Sequence, residues 1–228
     1  PFYTTELALA VSEAGGLGVL SHTNLRGVNS IKEMKKGMDY LVEHSDRPFG
    51  FNIRTARMQP DAVPLIRHVA KWIKKNPKLR EQCIYGLTSA GSPRKAAQIW
   101  SKKCPSIQHF HVAPAMWLAD KVIEAGCDGL VVTGTEGGGH QSYEKISTLI
   151  LTQQAVRRYS DMPIISCGGY ASPEGVSMAL AAGADAVAMG TRFIATKESE
   201  FHEKFKNTIY PATASDTIMT TGAFGPIR

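Results

Sequence analysis

From one end to the other, this chain alternates short apolar runs with longer amphipathic stretches, a pattern that points to repeated βα units and a parallel sheet. Seven runs read as strands: "LGVL" (17–20), "FGFNI" (49–53), "CIYGL" (83–87), "HFHVA" (109–113), "GLVVT" (129–133), "PIISC" (163–167) and "AVAM" (186–189). Each is short, apolar and bounded by turn residues, as buried parallel strands should be. The stretches between them carry helix punctuation. Ser30 with Glu33 reads as a capping box ahead of Ile31, Met34, Met38, Leu41 and Val42 on one face. Asp61 reads as the cap of a helix bearing Val63, Ile66, Val69 and Ile73, and Pro93 as the start of another. "EAGCDG" and "AAGADA" each end a helix in glycine before the next strand.

A helix around Thr5 to Ala14 precedes the first run and so lacks a strand of its own. One more βα unit would make eight, the number that closes a barrel. The expectation is an α/β protein, a (β/α)8 TIM barrel whose first strand lies upstream of residue 1. It would be a single domain over 1–228, incomplete at both ends, since "TIMTTGAFGPIR" shows no obvious terminal element.

The chain's 228 residues suit one such domain. No apolar run reaches the about 18 residues that span a bilayer, and no signal-peptide pattern opens the chain, so the expectation is a cytoplasmic protein without a membrane partner. Cys83, Cys104, Cys127 and Cys167 form no CxxC pair and read as reduced, buried thiols. The net charge of +6 resides largely in segments such as "AKWIKKNPKLR", where lysines suit a solvated helix face and not a nucleic-acid surface.

Chemistry in a barrel of this kind sits on the loops that follow the strands. Those exits carry Asn52, "TSAGSP" (88–93), "GTEGGGH" (134–140), Gly168 with Gly169, and Gly190 with Thr191. Glycines after the last two strands can turn backbone N–H groups toward a phosphate. With the phosphate held there, "GTEGGGH" is not needed as a cradle, and it matches neither nucleotide-loop pattern.

A metal site is the weaker reading. His109 and His111 share a strand face and His140 stands nearby in the order of exits, but Asp128 and Asp185 fall where strands begin, on the wrong face. One of the two strand histidines is expected to be a hydrogen-bonded core residue. What remains for the glycines is close approach to a flat ligand, with His140 brought to its reactive edge as a group able to move a proton or stabilise negative charge.

In this order, "ELALAVSEAGGLGVL", "RPFGFNI", "LTSAGSP", "FHVAP", "EAGCDGLVVTGTEGGGH", "PIISCGG" and "ALAAGADAVAMGTRFIATKES" resemble the nitronate monooxygenases, formerly 2-nitropropane dioxygenases. Their relatives are the flavin-dependent enoyl-acyl carrier protein reductases and NAD(P)H:quinone reductases. The resemblance implies an FMN-dependent TIM barrel with the FMN phosphate on Gly168, Gly169, Gly190 and Thr191. Asn52, Ser89 and the Glu136, Gly137, Gly138 loop would meet the ribityl chain or ring, and His140 would be catalytic. It implies oxidation of an alkyl nitronate with molecular oxygen to a carbonyl compound and nitrite, or, in the reductase branch, transfer from NAD(P)H to an enoyl thioester or quinone. It also allows a homodimer.

The family loop usually reads Glu-Ala-Gly-Gly-His, so Gly137 replaces an alanine, at little expected cost, and "QSYEK" (141–145) is a departure that bears on the substrate branch. Purine-nucleotide dehydrogenases share a similar phosphate-binding half, but none of the cysteines is placed as their nucleophile. A barrel binding a phosphorylated ligand without redox chemistry, as an isomerase or sensor, is the alternative of another class.

Overall fold

All seven expected strands form, within two residues of the expected bounds, in the computed structural model of the chain, which describes residues 4–22, 27–222 and 225–228. The expected opening helix is α1 (Thr5–Glu13). The chain divides into two compact units: Pro1–His111 with Ala125–Cys127 and Glu198–Phe201, and Val112–Glu124 with Asp128–Lys197 and His202–Arg228.

After α1, the first unit runs β1 (Gly18–Leu20), α2 (Val28–His44), β2 (Phe49–Arg54), α3 (Ala62–Lys75), α4 (Pro77–Gln82), β3 (Cys83–Ser89), α5 (Arg94–Lys103) and the start of β4 (Gln108–Ala113). Its strands pair in parallel in sequence order, with Val19 opposite Gly50, Asn52 opposite Leu87 and Thr88 opposite His111. Burial of Phe49, Phe51 and Ile53 against Leu65, Ile66, Val69 and Ile73 of α3 supplies the dominant favourable term. Trp100 sits edge-on to Phe51 at 5.2 Å and donates its indole N–H to the Ile66 carbonyl at 3.2 Å. That bond is what a buried tryptophan requires.

Two expected caps are corrected. Helix α2 starts at Val28, ahead of Ser30, with Gly27 at its N-cap position. Asp61 does precede α3, but its side chain caps no backbone N–H. Both side chains turn instead to His22. A true side-chain cap occurs at Asn76, which accepts from the N–H groups of Lys78 and Leu79 at the start of α4.

The second unit holds α6 (Met116–Glu124), β5 (Gly129–Thr133), α7 (Thr148–Arg158), β6 (Ile164–Cys167), α8 (Pro173–Ala181), β7 (Ala186–Ala188), α9 (Thr191–Ile194) and α10 (Glu203–Ile209). Strands β5, β6 and β7 are again parallel and in order, with Thr133 opposite Cys167 and Cys167 opposite Ala188. Every residue of β5 is buried, as a strand covered on both faces must be. Asp185 lies where β7 begins and accepts the Ile164 N–H at 2.8 Å, a structural use that fits its placement away from the exits. The "EAGCDG" and "AAGADA" turns behave as expected, with Gly126 and Gly183 at φ +78° and +95°.

The segment expected to lack a terminal element contains a short 3-10 turn (Ala214–Asp216) and an antiparallel pair, β8 (Thr220–Gly222) and β9 (Gly225–Ile227). Parallel strands in sequence order, each followed by a helix, make the chain an α/β protein of the (β/α)8 barrel class.

Candidate functional site

Thr133 ends β5, and the following loop folds back on the first turn of α7 through a dense set of hydrogen bonds. The Gly134 N–H donates to the Thr148 hydroxyl at 3.2 Å, Thr135 N–H to the Ile146 carbonyl at 2.9 Å, and Gly137 N–H to the Gly134 carbonyl at 2.9 Å. The Glu136 carboxylate accepts from the Thr148 N–H at 2.7 Å and the Thr148 hydroxyl at 2.9 Å. Partial burial raises the Glu136 pKa, yet these donors outweigh it and hold the carboxyl below its ordinary range. That acidic side chain therefore serves α7, and the loop's accessible groups are backbone.

Two of the three glycines have a structural reason to be glycine. A Cβ on Gly137 would stand 2.2 Å from the Thr133 hydroxyl, so the expectation that alanine and glycine are interchangeable there is corrected for this chain. Gly139 has φ +92°, a left-handed conformation that favours glycine. Gly138 is exposed, and a Cβ there would meet nothing within 4 Å.

The exit of β6 packs directly on this loop. Gly168 and Gly169 have φ +116° and +81°, and Cβ atoms on them would lie 2.7 Å from the Gly137 nitrogen and 2.9 Å from the Glu136 Cβ. So the structure brings Glu136, Gly137, Gly168 and Gly169 together. Gly190 and Thr191 leave the same end of the neighbouring strand β7, and Gly190 opens onto free space, with no atom within 4 Å of a built Cβ. Gly190 is the N-cap of the four-residue α9 and its carbonyl accepts the Phe193 and Ile194 N–H groups at 2.9 and 3.0 Å, which leaves the N–H groups of Thr191 and Arg192 without an intrahelical acceptor.

His140 is exposed at the far end of the glycine run, and its backbone is fixed. Gly139 exchanges two hydrogen bonds of 3.0 Å with Arg228, and the Gln141 N–H donates to the Pro226 carbonyl at 2.8 Å, so His140 forms an antiparallel bridge with Ile227. The terminal hairpin thus becomes an extension of the histidine loop.

In the first unit, Ser89 donates its hydroxyl to the Asn52 side-chain oxygen at 3.1 Å, across the exits of β2 and β3. His109 and His111 are both core residues, where one was expected. The Thr88 hydroxyl lies 2.8 Å from His109 Nε2 and 2.7 Å from His111 Nδ1, and burial pushes their pKa values down to about 3 and about 4. Among the described residues, no group of three or more His, Cys, Asp or Glu is placed to hold a metal ion.

His22, just past β1, escaped the sequence reading. It is buried, accepts the Arg54 N–H on Nδ1 at 3.1 Å, and places Nε2 2.9 Å from Ser30 and 3.3 Å from Asp61. Only its position at a strand exit could have singled it out.

A family model described as nitronate monooxygenase matches residues 3–228. The chain belongs to the nitronate monooxygenase family. A (3aS,4S,5R,7aS)-5-hydroxy-7a-methyl-1-oxo-octahydro-1H-indene-4-carboxyl-CoA dehydrogenase of Mycobacterium tuberculosis is 31% identical over 96% of this chain and 57% of its own length. A probable nitronate monooxygenase of Staphylococcus saprophyticus is 24% identical over 95% of this chain and 69% of its own. Among solved structures, FabK from Thermotoga maritima superposes with a TM-score of 0.84 at 32% identity, over 99% of this chain and 67% of that one. The chain thus spans little more than half the length of the Mycobacterium tuberculosis dehydrogenase it matches. Among the described residues, no helix is long and apolar enough to cross a membrane.

Proposed function

We propose that this chain forms the FMN-binding part of an oxidoreductase that oxidises alkyl nitronates with molecular oxygen to a carbonyl compound and nitrite. The observation that carries the reading is the convergence of the β6 and β7 exits, where Gly168, Gly169, Gly190 and Thr191 leave the same end of two paired strands and Gly190 faces open space. Their backbone N–H groups would hold the FMN phosphate. The family pattern adds Asn52, Ser89 and the Glu136–Gly138 backbone as contacts of the ribityl chain or ring. Bound FMN supplies the redox chemistry, accepting electrons from the substrate.

The protein's own part is to place and hold. The fixed backbone at residues 139–141 presents the exposed His140 side chain, which takes a proton from a neutral nitroalkane or stabilises the anionic nitronate. The rigid Glu136–Thr148 contact keeps the adjoining loop in one shape, so that little ordering remains to be done when the cofactor binds.

A second reading within the family has NAD(P)H as electron donor and a thioester or quinone as the other substrate. The 31% identity to a carboxyl-CoA dehydrogenase favours its thioester side. One experiment separates the two. The purified protein, reconstituted with FMN, is mixed anaerobically with an alkyl nitronate, NADH or NADPH while flavin absorbance is followed. Rapid bleaching by nitronate supports the first reading, and bleaching by a nicotinamide alone selects the second. A colourless protein that cannot be reconstituted with flavin would overturn both and leave a non-redox phosphate-binding barrel.

A further inference from the structure

The segment "QSYEK", where the chain departs from the family pattern, begins with a buried glutamine in a loop whose neighbours on both sides are exposed or half-buried. Gln141 makes two bonds that point in different directions. Its side-chain amide donates to the Gly137 carbonyl, four residues back, and its backbone N–H donates to the Pro226 carbonyl at 2.8 Å. The first bond closes Gly137–Gln141 into an arch with His140 in it. The second ties that arch to β9, beside the paired bonds of Gly139 and Arg228.

The other departure, glycine in place of the family's alanine at 137, belongs to the same device. A Cβ at Gly137 would stand 3.2 Å from the Gln141 side-chain nitrogen and 2.2 Å from the Thr133 hydroxyl. The first contact is tighter than ordinary van der Waals packing and the second is a clash with a β-branched side chain of few rotamers. An alanine would therefore press on the glutamine amide and displace the threonine at the end of β5. Glycine at 137 leaves room for both.

We propose that Gln141 is a positioning residue: its side chain closes the arch that carries His140, its backbone clamps the arch to the terminal hairpin, and Gly137 is glycine to admit it. This rests on the reading of His140 as the acting residue. The part assigned to Gln141 is carried by its bonds to Gly137 and Pro226. A long amide suits the task because it is a neutral donor, whereas a buried lysine or arginine there would bring an unpaired charge. Methionine has nearly the same length and no donor, so Gln141→Met removes the bond while keeping the bulk.

The test uses the full chain loaded with FMN. Hydrogen exchange, read by mass spectrometry on peptides covering 137–144 and 225–228, is compared for the wild type and Gln141→Met. Exchange in both peptides is expected to quicken about ten-fold, the worth of one net hydrogen bond, while β5, β6 and β7 keep their protection. Flavin stays bound, and kcat for the nitronate falls by more than KM rises, because His140 is displaced and the ground-state pocket is not. Wild-type exchange in the two peptides, or an unchanged kcat, would overturn the proposal.

Should Gln141→Met unfold the second unit as a whole, Gln141→Asn carries the same test. It keeps a neutral amide but is one methylene too short to reach the Gly137 carbonyl from the same backbone, so local quickening supports the clamp and wild-type protection removes it. Failure of the underlying reading looks different. If His140→Ala leaves turnover intact, the histidine is not the acting residue, yet the exchange experiment still decides whether Gln141 holds the arch.

Discussion

The carboxylate of Glu136 accepts both the backbone N–H of Thr148, at 2.7 Å, and its hydroxyl, at 2.9 Å, so the acidic residue of the glycine loop is bound to the first turn of α7. Ser147 caps the same helix through a bond from the Ile150 N–H, so the two side chains take the first and third N–H groups of α7. Glu136→Ala should destabilise the protein by about 1 kcal/mol, the usual worth of a cap, with solvent exposure keeping the figure at the low end. The folded-state pKa lies below the ordinary one, so this contribution is complete above the unfolded pKa and is lost as pH falls through the folded value. Thermal unfolding of both proteins at pH 7 and pH 3 checks it. The gap between them should narrow in acid.

The glycines of the proposed phosphate site separate into two kinds. Gly168→Ala puts a Cβ 2.7 Å from the Gly137 nitrogen at φ +116°, and should cost about 2 kcal/mol or more whatever is bound. Gly190→Ala meets no atom within 4 Å and should change stability by less than about 0.5 kcal/mol. If Gly190 faces the FMN phosphate, Gly190→Ala nonetheless weakens flavin retention on dialysis. Retention equal to the wild type would move the phosphate elsewhere.

Thr88 holds two buried imidazoles at once, at 2.8 Å and 2.7 Å. Thr88→Val keeps the shape and strands a nitrogen on each ring, a loss of about 1–3 kcal/mol by urea denaturation. Burial sets both folded pKa values far below 6.5, at about 3 for His109 and about 4 for His111. Below pH 6.5 the unfolded chain takes up protons that the folded one refuses, so stability drains as pH falls from 6.5 toward 4. His109→Gln should lose less stability between pH 7 and pH 5 than the wild type does.

The strands were legible because parallel strands covered on both faces leave continuous apolar runs, and β5, buried at every residue, is the clearest of them. The glycine-bearing exits followed from strand order alone. What failed to show was non-local. The hairpin of β8 and β9 consists of two three-residue strands without an apolar run, and it is stabilised partly by pairing with Gly139 and Gln141, some eighty residues earlier in the chain. Ser30 and Asp61 read as caps because serine and aspartate favour that position, but tertiary contact with His22 took both side chains.

That competition gives a sharp test at Asp61. Its carboxylate lies 3.3 Å from His22 Nε2 and accepts the Gln59 amide at 2.7 Å, with almost no exposed surface on either Asp61 or His22. Burial lowers the His22 pKa and the Asp61 contact only partly restores it, while the Gln59, Ser30 and His22 donors overcome burial to hold Asp61 low. The imidazole is then neutral near pH 7, with Nδ1 accepting from Arg54 and Nε2–H donating, so the contact is a hydrogen bond to a carboxylate and not a paired charge. Were Asp61 a helix cap, Asp61→Ser would be nearly silent, since serine caps as well as aspartate. As the partner of His22 and Gln59 it cannot be replaced by so short a side chain, and Asp61→Ser should cost about 1–3 kcal/mol through the buried donors it leaves unmet. Urea denaturation at pH 7 decides between the two roles, and equal midpoints for Asp61→Ser and the wild type would return Asp61 to the cap.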